Sequence, residues 1–136
     1  MSGEINLEIL LKNMNPVINA GDYVFCTIST IEKIDLNEVI GSFKEKEGIT
    51  LIISKDYADK LSLKYSTLMS WITLQVHSSL EAVGLTAAFS NILAQNNISC
   101  NVIAGFYHDH IFVRKQDASK VVELLSKTNN YKLNGT

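Results

Sequence analysis

Residues 76–113, VHSSLEAVGLTAAFSNILAQNNISCNVIAGFYHDHIFV, decide the reading of this chain. Within it Leu85, Ala88, Phe89, Ile92 and Leu93 recur at steps of three and four, one apolar stripe of an amphipathic helix. That spacing predicts a helix over about 82–96, ended by Asn96-Asn97, since asparagine tolerates the left-handed conformation that follows helices. Ile98, Cys100, Val102 and Ala104 then alternate as a strand over 98–105, and a turn near Gly105 leads into a second strand over 107–114. Upstream, STLMSWITLQV (66–76) has Leu68, Ile72, Leu74 and Val76 on one face and Met69, Trp71 and Thr73 on the other. Both faces are partly apolar, so this strand is expected at the centre of a sheet. Downstream, Asp117 is placed to cap a last helix over 117–127 with Ala118, Val121, Val122 and Leu125 on its apolar face. The tail NNYKLNGT reads as a frayed end with room for a short strand at Tyr131–Leu133. The order β-α-β-β-α, with a final β, is the split βαβ, ferredoxin-like pattern of an α+β fold.

The first half is richer in strands. Leu7, Leu10, Leu11 and Met14 predict a short helix over 6–14, which Pro16 ends. Gly21-Asp22 is a turn signal ahead of YVFCTI, a strand with Val24, Cys26 and Ile28 on one face. DLNEVIGSFKEKEGITLIIS reads as strands over 38–45 and 49–53 hinged at Glu47-Gly48, and Lys55 to Leu61 as one or two helical turns. No Pro/Ser/Gly-rich linker separates the halves, which are taken as 1–64 and 65–136 and expected to pack together.

The bulk properties exclude several function classes. With 46% apolar and 19% charged residues, the chain of 136 residues can bury a core without disulfides. The net charge is −2 and the basic residues are dispersed, so no electrostatic footprint for nucleic acid or an anionic membrane exists. Cys26 and Cys100 sit in separate apolar runs without CxxC spacing and read as reduced core thiols, which fits a reducing compartment. The N-terminus lacks the pattern of a signal peptide and no apolar run approaches the length of a membrane span, so a cytoplasmic location is expected. No cofactor motif is present: there is no P-loop, no G-x-G-x-x-G and no G-x-S-x-G.

Residues 66–127 resemble the ACT domain, on the strand, the glycine-containing turn AVGLTA, the helix ending in LAQNNI, and SCNVIAG on the next strand. The chain is similar to small bacterial proteins built of two ACT-like halves, to aspartate kinase regulatory ACT pairs and to animal cytosolic arginine sensors. SLEAVG departs from the D-R-x-G or x-P-G turn often found in the family. The resemblance implies a non-catalytic regulatory protein, a homodimer that binds an amino acid between ACT units and signals to a client protein. It implies ligand contacts at Ser78, Ser79, Val83, Gly84, Leu85 and Thr86 in the turn, at Asn101 on the next strand, and at Asp109.

Those residue types suit the task. A free amino acid is a zwitterion and needs an anion cradle and a cation partner. Unpaired amides at a helix start supply the first, and Gly84 lets a ligand approach the backbone. Thr86 adds a hydroxyl, and Asp109 or the Asn101 amide oxygen can receive the ammonium. A plainer reading competes at the turn: Ser78-Ser79-Leu80-Glu81 fits the S-x-x-E capping box, which would satisfy the helix donors internally. Asn101 can likewise bond neighbouring backbone. His108 and His110, with His77 as a third imidazole, would make a metal site only by converging in space, and ordinary histidines are the expectation. Trp71, Phe106 and Tyr107 line either a pocket, an interface or the core. Three functions stay open: a ligand-binding regulator, an assembly module without ligand, and a small hydrolase built on the three histidines.

Overall fold

A computed structural model describes the backbone over residues 14–76 and 84–133, with side chains over 14–75 and 84–126. The elements are β1 (Met14–Ile28), β2 (Val39–Lys44), β3 (Ile49–Ser54), α1 (Lys55–Lys60), β4 (Met69–Val76), α2 (Leu85–Gln95), β5 (Cys100–Ala104), β6 (Asp109–Arg114) and α3 (Ala118–Leu133). The hydrogen-bonded strand order is β2-β3-β1-β4-β6-β5, so β4 is interior, as its two partly apolar faces predict. The chain divides into two units, Ala20–Ser70 and Met1–Asn19 with Trp71–Thr136.

In the unit containing Trp71–Thr136, α2 buries Leu85, Phe89 and Leu93 fully and packs Ala88 and Ile92 partly, the stripe expected from spacing alone. These side chains meet Ile72 and Leu74 of β4, Ile111 and Val113 of β6, and Val121 and Leu125 of α3. The helix ends in a Schellman motif: Asn97 sits at φ 61, its N–H donates to the Ala94 carbonyl at 3.0 Å, and the Ile98 N–H donates to the Leu93 carbonyl at 2.9 Å. Here β6 lies between β4 and β5, the split arrangement expected, and the front of β1 lies on the other side of β4.

That last placement corrects two expectations. A short strand at Tyr131–Leu133 does not form, because α3 continues to Leu133 and the edge of β4 it would have joined is filled by β1. The helix over 6–14 lies outside the described residues except for Met14, which opens β1 and is 1% exposed in the core. Pro16 sits inside β1 rather than ending a helix. It lies outside the Tyr23–Ile28 stretch of β1 that pairs with β3, so the β3 ladder does not need its missing N–H. Gly21-Asp22 is likewise no turn. The strand runs through it with Gly21 at φ +107, a conformation glycine adopts without a Cβ clash, while the Tyr23 hydroxyl donates to the Ala20 carbonyl at 2.6 Å.

The Ala20–Ser70 unit has its own core of Val24, Cys26, Leu51, Ile53, Tyr57 and Ala58. Both expected hairpin strands are present as β2 and β3. α1 is capped by Ser54, whose hydroxyl accepts from the Tyr57 N–H at 3.1 Å. Cys26 and Cys100 are both free, and burial pushes both thiols up, keeping them protonated and unreactive.

The two units repeat one plan. In each, a strand leads to a second strand, a hairpin returns between them, and a helix follows. The hairpins match in detail: Lys44 pairs with Ile49 and Ala104 with Asp109 as the last rungs before the turn. Each turn closes with the same hydrogen bond, Glu45 N–H to the Gly48 carbonyl and Gly105 N–H to the His108 carbonyl, both at 2.9 Å. The register then sets Leu51 and Ile53 against Ile111 and Val113, all fully buried, and Ala58 against Ala118. The units differ in the first connection, which carries only the 3-10 turn Leu36–Glu38 in one and the 11-residue α2 in the other.

Candidate ligand-binding site

The strands of the Trp71–Thr136 unit bring the start of α2 and the start of β6 to one end. Trp71 stacks on Phe112 and bonds His110, while Thr73 also reaches His110, so residue numbers rise along β4 as they fall along β6. β5 pairs with β6 from Cys100↔Val113 to Ala104↔Asp109. The ends of β4 and β5 and the first residue of β6, Asp109, therefore share one end of the sheet. α2 spans about 16 Å at 1.5 Å per residue and stops at Gln95, shortly before β5 begins at the far end. Its N-terminus thus lies toward Asp109.

Gly84 occupies the N-cap of α2 in the left-handed region, φ 86 and ψ −7, with no side-chain cap hydrogen bond. A Cβ there would meet nothing within 4 Å among the described residues. The Ser78–Glu81 capping box lies outside the described residues, and the helix opens at Leu85. The first internal bond is Ala88 N–H to the Gly84 carbonyl at 2.9 Å. The amides of Leu85, Thr86 and Ala87 have no acceptor among the described residues. Leu85 is buried and anchors the turn in the core, whereas Thr86 is exposed.

Asp109 alternates with Ile111 and Val113, both 0% exposed in the helix-covered core, so its half-buried carboxylate lies on the side of the sheet that carries α2. It has no ion-pair or hydrogen-bond partner among the described residues. An acid on an apolar face is tolerated here because it sits at the open end of the strand. Gly84, Leu85, Thr86 and Asp109 are thus gathered at one end and one side of the unit. Asn101 is not: it is exposed, pairs with Phe112 on the opposite face, and stands at the other end of β5. Ser78, Ser79 and Val83 lie outside the described residues.

Sequence reasoning missed a polar cluster on the face of the sheet opposite the helices. The Asn19 amide donates to the Thr73 hydroxyl at 2.9 Å and to the Trp71 carbonyl at 3.2 Å. The Trp71 indole N–H donates to His110 Nδ1 at 3.0 Å, and the Thr73 hydroxyl lies 3.1 Å from the same nitrogen. Indole can only donate, so Nδ1 must accept and the neutral ring carries its proton on Nε2. Period-two alternation placed Trp71 and Thr73 together, but nothing in the sequence paired them with His110. His108 lies with its ring 6.5 Å from that of His110, His77 is outside the described residues, and no group of metal-binding side chains converges among the described residues.

Burial, and then the nearby His108 charge, push the His110 pKa below the ordinary histidine value, while Asp109 opposes. The unfolded chain therefore binds a proton more readily than the native one. Stability from this group is complete above about pH 6.5 and is lost as pH falls from there through the lower native pKa. Trp71 is the only tryptophan, so its emission reports the contact directly. We expect a fluorescence transition with a midpoint below pH 6.5 that is absent in His110→Gln. A midpoint at or above 6.5 would contradict the geometry.

Comparison with known proteins supplies the family context. A family model described as ACT domain matches residues 2–70, and a second ACT domain model matches residues 68–127. No curated protein matches. Among solved structures, a Vibrio cholerae protein of unknown function, described as a possible transport protein, is 48% identical. The match covers 93% of this chain and 98% of that one, with a TM-score of 0.85. An Agrobacterium tumefaciens protein is 20% identical over 86% of this chain and 90% of its own, with a TM-score of 0.70. Clostridium acetobutylicum aspartate kinase, described as an allosteric enzyme, is 10% identical over 85% of this chain and 34% of the kinase, with a TM-score of 0.58. At the last two identities the likeness is one of fold.

Proposed function

The chain belongs to the ACT domain family, and from that premise we propose that it is a non-catalytic regulatory protein that binds a free amino acid. The ligand sits at an interface between ACT units in a homodimer, and its binding biases one arrangement of that dimer toward a client protein. The observation that carries this reading is that the first-turn amides of Leu85–Ala87 have no acceptor, and the Asp109 carboxylate no ion-pair or hydrogen-bond partner, among the described residues, and that both lie at the same end of one unit. The two groups match the two ends of a zwitterion. The amides and the helix dipole favour the ligand carboxylate, the dipole alone by about 0.3–1 kcal/mol. The Asp109 carboxylate takes the ammonium through a charge-assisted hydrogen bond. Gly84 keeps the approach to the amides clear of a side chain.

The aspartate kinase likeness supports the regulatory part of the reading, since that neighbour is described as an allosteric enzyme. A thermal-shift panel over the twenty amino acids tests it. One or a few are expected to raise the melting temperature at millimolar concentration, because a ligand at 100 times its Kd stabilises the native state by about 2.7 kcal/mol. A panel with no shift at all would sink this reading and leave an assembly module in its place.

A further inference from the structure

The two hairpins of this chain are a controlled comparison. Both turns close with the same hydrogen bond and carry the same strand register, yet their tips differ completely. The Ala20–Ser70 unit has Lys46 and Glu47 at the tip, the polar choice usual for a turn. The other unit has Phe106 and Tyr107, which are 96% and 85% exposed. Their rings meet edge to face at 5.0 Å. Lys46-Glu47 proves that the turn itself needs no aromatic side chain, and so large an exposed apolar surface is unfavourable unless something covers it. The position that opens the returning strand differs too, in the opposite sense: Ile49 stands in one unit where Asp109 stands in the other. The aromatic pair and the acid are thus found together in one unit and are both missing from the other.

Their placement points to a shared role. Tyr107 is two residues from Asp109, no more than about 7 Å along the chain, and the tip projects from the same end of the unit as the start of α2. Resting on the amino-acid reading above, we propose that Phe106 and Tyr107 form the wall that selects the ligand side chain, and that the ligands are amino acids with large apolar side chains. Asp109 is occupied by the ammonium. Asp109 is the only acid of the Cys100–Arg114 hairpin, so the hairpin supplies no second carboxylate for a cationic side chain, and Asp109 repels an acidic one. The hairpin of the Ala20–Ser70 unit has neither the acid nor the aromatics, so one ligand of this kind is expected per chain.

Calorimetric titration of the full chain with leucine, methionine and phenylalanine, against glycine, lysine and glutamate, tests this. The large apolar ligands should bind at least roughly tenfold more tightly than glycine, the gain from partial burial of such a side chain. In Phe106→Lys/Tyr107→Glu, which installs the tip of the other hairpin, that advantage should shrink to within about twofold. The melting temperature should hold, because both side chains are exposed. Phe106→Ser/Tyr107→Ser is the second variant and should behave alike. Preference for lysine or glutamate overturns the proposal, as does discrimination that survives both variants. A dimer that becomes a monomer with discrimination intact also overturns it and assigns the tip to subunit contact. Binding without side-chain preference sinks this inference alone, whereas no binding of any amino acid sinks the amino-acid reading with it.

Discussion

Phe89→Ala should cost about 3–5 kcal/mol of folding stability, the largest single effect expected of any substitution in the chain. Phe89 is 0% exposed at the middle of α2 and is the largest side chain of its core, packed with Ile72, Leu74, Leu93, Ile111, Val113 and Leu125. Truncation removes both the transfer term and the dispersion contacts of the ring, and strand and helix backbones on every side prevent collapse into the void. Against a total stability of roughly 5–15 kcal/mol, the melting temperature should fall by on the order of 10–20 °C. Chemical denaturation with an unchanged m-value measures it. A loss below about 1 kcal/mol would mean that α2 does not rest on the sheet as described. Because α2 also carries the first-turn amides of the proposed site, ligand affinity should weaken in the same variant even under conditions where it remains folded.

Asp109→Asn should weaken amino-acid binding by about 10- to 100-fold, the value of one hydrogen bond to a charged group. The substitution keeps the shape and removes the charge. Stability should hardly change, because Asp109 has no ion-pair partner among the described residues to strand. Asn101→Ala is the matched control. Asn101 lies on the opposite face and at the opposite end of β5, so binding should stay within about twofold. If Asn101→Ala abolishes binding and Asp109→Asn does not, the ammonium is held elsewhere. Titrating both variants with the ligand found in the amino-acid panel separates these outcomes.

The site was only partly readable before folding was considered. The residues of the glycine turn and Asp109 were marked by chemistry and by resemblance, and alternation correctly set Asp109 on the side of Ile111 and Val113. Asn101 looked equivalent because its residue type suits a ligand, yet strand alternation from Cys100, which packs on the core, already turned it the other way. The His110 cluster could not have been found: it joins residues 19, 71, 73 and 110, and only the sheet brings them within hydrogen-bond reach.

Local pattern determined most of the elements. The 3.6-residue stripe of Leu85, Phe89 and Leu93, the asparagine stop after it, the alternation of β5 and β6 and the hairpin of β2 and β3 all follow from interactions within a few residues, where propensity and burial agree. Tertiary structure alone decided the role of the front segment. Met14 fits a helical period with residues that lie outside the described ones, but the edge of β4 offers Met14 a buried site and the Met14–Asn19 backbone a ladder. The identity of that neighbour lies more than fifty residues away in the sequence. A strand edge is satisfied by whichever segment arrives, and no local pattern names the segment; that is why Pro16 and Gly21 could read as boundaries and yet lie inside one continuous strand.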